Sequence, residues 1–123
     1  MRTILCLFVF CIVLLIACVK DKGYPPVPVS GSICDSVTYS KTIQPIVANK
    51  CAIPGCHVPS NGNGYDFTTY AMLKSYTGTG GLNAQDPIYD HLFIIDDMPK
   101  TGSLTATEQE EIKCWLQAGA PNN

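Results

Sequence analysis

"YSKTIQPIVANKCAIPGCH", Tyr39 to His57, runs an apolar helical stripe into two cysteines and a histidine. Ile43, Ile46, Val47 and Cys51 fall at i, i+3, i+4 and i+8, one face of a helix. Pro45 is tolerated only in a first turn, where its missing N–H has no partner to lose. That places the cap at Thr42 or, if the helix starts nearer Ser40, a kink at Pro45. Either way the helix leads straight into Cys51. The loop that follows gathers Cys51, Cys56 and His57, one of only two histidines in the chain.

What such a loop does depends on the compartment, and the N-terminus bears on that. Arg2 precedes thirteen unbroken apolar residues, Ile4 to Ile16, too few to span a bilayer comfortably but suited to the core of a signal peptide. Leu15-Ile16-Ala17-Cys18 resembles a bacterial lipobox, in which cleavage leaves a lipid-bearing cysteine as the new N-terminus. The expectation is a signal peptide over residues 1–17 and lipid on Cys18, with an ordinary signal peptide or an uncleaved anchor as the alternative. Residues 18–36 read as a flexible linker, because "VKDKGYPPVPVSGSI" is rich in Pro, Gly and Ser and has no apolar period. Cleavage removes Arg2 alone among the charges and takes the net charge from −2 to −3. A mildly acidic chain offers no basic surface for nucleic acid.

Residues 37–123 form the expected domain. "TTYAMLKSY" offers a short helix from about Thr69 to Tyr76, ended by "GTGG" at 78–81. "DPIYDHLF" reads as another, with Asp86 as cap and Pro87 at its first position. Thr105 and Glu108 form a capping box, Ile112, Trp115 and Leu116 supply an apolar face, and Gly119 with Pro121 ends the helix. No run of alternating strands occurs. The prediction is a small all-α domain of three to five helices.

Three readings of the Cys51–His57 loop compete. In one, the two cysteines form a disulfide and His57 is an exposed loop residue. In the second they belong to a zinc site, completed by Cys34, Cys114 or His91. In the third, both thiols have added to the vinyl groups of a haem and His57 is the proximal iron ligand. Covalent haem attachment places two thiols within reach of one macrocycle edge and an imidazole directly after the second, usually as C-x-x-C-H. Here the spacing is C-x-x-x-x-C-H, with Pro54 and Gly55 in the inserted piece. A c-type iron commonly takes its second axial ligand from a methionine thioether later in the chain, and "DDMPK" supplies Met98.

With these elements the chain resembles the compact class I type of monohaem cytochrome c domain, from about Tyr39 to Pro121. The resemblance rests on "YSKTIQPIVANKCAIPGCH" as the helix feeding the haem motif, "DDMP" as the distal loop and "LTATEQEEIKCWLQAGAP" as the last helix. The C-x4-C-H spacing is similar to that of a subset found in secreted and lipid-anchored bacterial proteins. It implies an all-α fold wrapped around haem c, with the first and last helices crossing. It also implies thioethers at Cys51 and Cys56, His57 as proximal ligand and Met98 as distal ligand. A domain this small has little core of its own, and a buried porphyrin would add apolar surface. Ile43, Val47, Ile112 and Trp115 are expected to pack against it or beside it.

The remaining residues read more plainly. His91 is expected to be an ordinary surface or core histidine, Met72 to pack in the core, and Asp96 and Asp97 to be solvated loop charges. Signal, lipid and haem account for five of the seven cysteines, which leaves Cys34 and Cys114 to pair, since exported thiols rarely stay unpaired. The expected protein is a monomeric electron carrier of the cell envelope, lipid-anchored and serving redox partner proteins. It is not expected to be an enzyme, although a peroxidase-like haem with an open distal position is a further possibility. The alternative from another class is a haem-free, disulfide-stabilised lipoprotein that acts as a binding module.

Overall fold

Cys34 ends the first helical turn, α1 (Gly31–Cys34), and is joined by a disulfide to Cys114, eighty positions later. The structure is a computed structural model and describes residues 31–59, 65–78 and 86–123. The expected signal peptide, Cys18 and most of the linker lie outside the described residues, as do most of the two glycine-rich loops. The stretch assigned to linker ends, at Gly31–Cys34, in a helical turn bonded to the domain.

The first long helical segment opens at Thr38, not Thr42. Thr38 has extended backbone and its hydroxyl oxygen accepts from the Lys41 N–H at 3.3 Å, satisfying a donor that helix starts leave open. A π-helical turn, Tyr39–Ile43, passes directly into α2 (Gln44–Lys50), with Pro45 in the first turn of α2. The reason lies in the proline. The Gln44 N–H bonds back five residues to the Tyr39 carbonyl, so the wider turn is completed just before the position that lacks an N–H. Asn123 closes the same end, accepting from the Tyr39 N–H at 2.8 Å through its side chain and from the Ser40 N–H at 2.9 Å through its backbone.

Short helices follow where cap chemistry allows them. α3 (Tyr70–Ser75) starts at Thr69, whose hydroxyl accepts from the Met72 N–H. α4 (Pro87–Tyr89) starts at Asp86, whose carboxylate accepts from the Tyr89 N–H at 3.0 Å, and continues as a second π turn over Asp90–Ile94. α5 (Ala106–Gln117) carries the full capping box. The Glu108 N–H donates to the Thr105 hydroxyl and the Thr105 N–H to the Glu108 carboxylate. It ends at Gly119, whose φ of +82° is the left-handed conformation that glycine adopts at no steric cost. No strand occurs among the described residues, and the architecture is all-α.

The core joins both ends of the domain. Tyr39, Ile43, Ile46 and Val47 pack with Leu73, Tyr89, Leu104, Ile112, Trp115, Leu116 and Ala120. Tyr39 is central, with its ring 4.9 Å from Tyr70 edge-on and 6.0 Å from Trp115. Polar atoms at the rim are spent on the turn after α5. The Tyr70 hydroxyl donates to the Ala120 carbonyl, Lys74 Nζ to that of Gly119, and Trp115 Nε1 to that of Pro121. Met72 departs from expectation. It is exposed, because the inward face of this six-residue helix is taken by Tyr70 and Leu73, i and i+3.

Candidate functional site

α2 delivers the site. Its last turn ends at Cys51, whose N–H donates to the Val47 carbonyl at 2.9 Å. The next residues fold back at once. Cys56 N–H donates to the Ile53 carbonyl at 3.0 Å, with Pro54 second and Gly55 third in the turn. Gly55 has φ +84°, the conformation that a type II turn requires at that position. His57 N–H then donates to the Cys51 carbonyl at 3.0 Å and closes the loop. The four residues between the cysteines are therefore taken up by a tight turn, and Cys51 is brought back to His57.

The imidazole is held by Tyr65 and Phe67. Its Nδ1 lies 3.3 Å from the Tyr65 carbonyl oxygen, and a carbonyl can only accept, so Nδ1 carries the proton and Nε2 presents its lone pair. The ring stacks on Phe67 at 4.1 Å with planes 10° apart, and the Phe67 N–H donates to the His57 carbonyl. Tyr76 backs this arrangement, its ring 5.3 Å from both Tyr65 and Phe67. A carbonyl bonded to one ring nitrogen is the usual setting of a metal-ligating histidine.

Cys51 and Cys56 are outside any disulfide, whereas Cys34 and Cys114 are bonded to each other. Burial pushes the Cys51 thiol up to about 11, with Cys56 and the Glu108 carboxylate adding to the effect, so it stays protonated at neutral pH. Glu108 comes from the capping box of α5, which puts the start of that helix beside the loop. Its own carboxyl is held below the usual range, first by the Thr105 N–H.

Met98 sits on a second loop, built around His91. The π turn ends at Ile94, and Asp96, with φ +56°, reverses the chain. The Asp97 and Met98 N–H groups both donate to the His91 carbonyl, at 3.1 and 3.3 Å. His91 Nδ1 donates to Asp97 Oδ1 at 2.7 Å, which holds the Asp97 carboxyl below its ordinary value. Asp97 is thus paired, not simply solvated as the sequence suggested. Asp96 is exposed.

Two of the three readings of the loop lose ground on these contacts. A Cys51–Cys56 disulfide is not formed. Cys34 and Cys114, which would have completed a zinc site, are bonded to each other, and His91 is turned to Asp97. Among the described residues no three His, Cys, Asp or Glu side chains gather as a metal-binding group. The residue types in the loop are also those that covalent haem attachment uses. Two thiols and an imidazole with Nε2 presented share one loop, and large apolar side chains are exposed beside both loops. Tyr65 is 51% exposed next to His57, and Ile94 and Ile95 are 46% and 58% exposed shortly before Met98. Sequence reasoning missed the Tyr65 carbonyl and the Phe67 stack; the aromatic density from Tyr65 to Tyr76 was the available hint. The chain matches no family model, no curated protein and no solved structure. Its chemistry therefore carries the functional reading.

Proposed function

We propose that this protein is a lipid-anchored electron carrier of the cell envelope, a cytochrome c-like domain with one haem c. The observation that carries the reading is the Cys51–His57 loop. It keeps two thiols out of disulfides and fixes, directly after the second, an imidazole whose Nδ1 is occupied by a backbone carbonyl. Cys51 and Cys56 would hold the macrocycle through thioethers, and His57 Nε2 and Met98 Sδ would be the axial ligands. When bound, the haem supplies a reversible one-electron Fe(III)/Fe(II) couple.

The chain's own residues do the rest. The Tyr65 carbonyl and the Phe67 ring fix the tautomer and the plane of His57. Met98 would supply a soft thioether, a ligand that favours a reduced metal, and would occupy a position that a substrate would otherwise need. Such a site would carry electrons in preference to activating peroxide. The linker after Cys18 keeps the domain close to membrane partners and raises its effective concentration there.

The test is the mature protein expressed with haem-attachment machinery. Its expected behaviour is a low-spin spectrum that changes on reduction, and haem that stays with the denatured chain through acid–acetone extraction. A colourless protein sinks the reading and leaves the haem-free binding module.

A further inference from the structure

We propose that His91 and Asp97 are positioning residues for Met98: their side-chain bond, added to the two amides on the His91 carbonyl, locks the loop that presents the thioether. The inference rests on Met98 as distal ligand and goes further, since it gives the second histidine a role other than ligation.

Three hydrogen bonds of the loop converge on His91. The backbone oxygen of His91 accepts from Asp97 and from Met98, and its ring nitrogen Nδ1 donates to the Asp97 carboxylate. The segment between them is only five residues long and turns through Asp96 in a left-handed conformation, which aspartate tolerates better than most residues. Three bonds on so short a loop fix the backbone leading into Met98. Lys100 also faces Asp97 and reinforces the charge there.

The pair is solvent-exposed, with side chains 49% and 39% accessible. An exposed side-chain pair of this kind adds little to global stability. Its effect is therefore local, on how often the loop opens, and this separates a positioning role from a merely structural one. In an electron carrier an open loop leaves the iron to other ligands, so the apparent affinity of such a ligand scales with the open fraction.

The experiment compares wild type with His91→Ala, Asp97→Ala, the double variant, and Asp97→Asn, which keeps an acceptor oxygen. Two readouts are taken on the mature chain: amide hydrogen exchange at Asp97 and Met98, and the rate at which cyanide binds the oxidised haem. Each alanine variant is expected to speed both about tenfold, with exchange in α5 unchanged. The double variant should be no worse than either single, and Asp97→Asn should recover most of the protection. Unchanged exchange in both single variants overturns the clamp. Faster exchange with an unmoved cyanide rate overturns its role in positioning Met98. Loss of the low-spin spectrum in His91→Ala but not in Met98→Ala makes His91 the ligand and overturns the proposal. A wild-type chain that takes up no haem is a failure of the electron-carrier reading itself, and exchange then decides for or against the clamp alone.

Discussion

His57 and Tyr65 are joined side chain to backbone, Nδ1 to carbonyl oxygen at 3.3 Å, and in the neutral ring that contact leaves the lone pair on Nε2. Removing the imidazole with His57→Ala should leave covalent haem without a proximal ligand, read as a high-spin spectrum. Cys51→Ser and Cys56→Ser should each yield a single-thioether haemochrome spectrum with reduced holoprotein, and the double variant none. Covalent haem in the double variant would show that these cysteines are not the attachment points.

Cys34 and Cys114 lie with Cα atoms 5.1 Å apart and close a loop of eighty residues between α1 and α5. A cross-link over a loop of this length constrains the unfolded chain and contributes about 2–4 kcal/mol. The Cys34→Ala/Cys114→Ala variant should lose about that much in urea unfolding. Mass mapping of the wild type, alkylated in denaturant without reductant, should leave both thiols unmodified; alkylation at both excludes the bridge.

The parts of the fold that local chemistry decides were legible. Thr105 with Glu108, Asp86 before Pro87, and Gly119 before Pro121 each state a helix boundary in side chains, and the structure keeps all three. The stripe from Ile43 to Cys51 was legible for the same reason. Thr38 was not, because choosing it over Thr42 depends on a π turn that brings the chain to Pro45 with its last bond already made. Nor was the exposure of Met72, since six residues give too few turns to fix a face. In the site, the two thiols and His57 could be read, but not the partners of either histidine. Tyr65 acts through a backbone carbonyl, which no side-chain pattern encodes, and Asp97 reaches His91 only because Asp96 reverses the chain.

Cys18 is expected to carry lipid. Each buried CH₂ contributes about 0.8 kcal/mol, so two or three acyl chains hold a small domain firmly. Cys18→Ser should move the protein from the membrane fraction to the soluble fraction. Membrane retention of a processed Cys18→Ser chain would contradict the anchor.

Asp86 gives a pH dependence of definite sign. It is only 2% exposed, and burial raises its carboxyl above the ordinary value despite backbone bonds from Tyr89, Gly78 and Ile88. The folded state then binds the proton more tightly than the unfolded chain. This contribution is fully present below the unfolded value near 3.8 and is lost as pH rises through the raised folded value. Asp97 and Glu108, both lowered, act in the opposite sense, so the comparison must be made between variants. Asp86→Asn retains an acceptor for the Tyr89 N–H and removes the titration. The stability difference, wild type minus Asp86→Asn, should fall with rising pH from about 4; a rising difference would reverse the assignment. Asp86→Ala should lose about 1 kcal/mol or more with the cap.

Met98→Ala tests the distal ligand directly. The Met98 N–H is bonded to the His91 carbonyl, and His91 Nδ1 is bonded to Asp97, so the backbone of Met98 is held while the histidine ring is engaged elsewhere. A thioether stabilises Fe(II) relative to a second imidazole or water, and its loss should lower the reduction potential. The weak sulfur-to-iron band of the oxidised protein should vanish. Cyanide should bind the oxidised form, and carbon monoxide the reduced form, with affinities higher by on the order of tenfold or more, since the position is then always open. His91→Ala should loosen the loop and leave the sulfur ligand in place, so its potential should stay far closer to wild type than that of Met98→Ala. A Met98→Ala protein that keeps both the band and the potential excludes the thioether, and the proposed closed coordination goes with it.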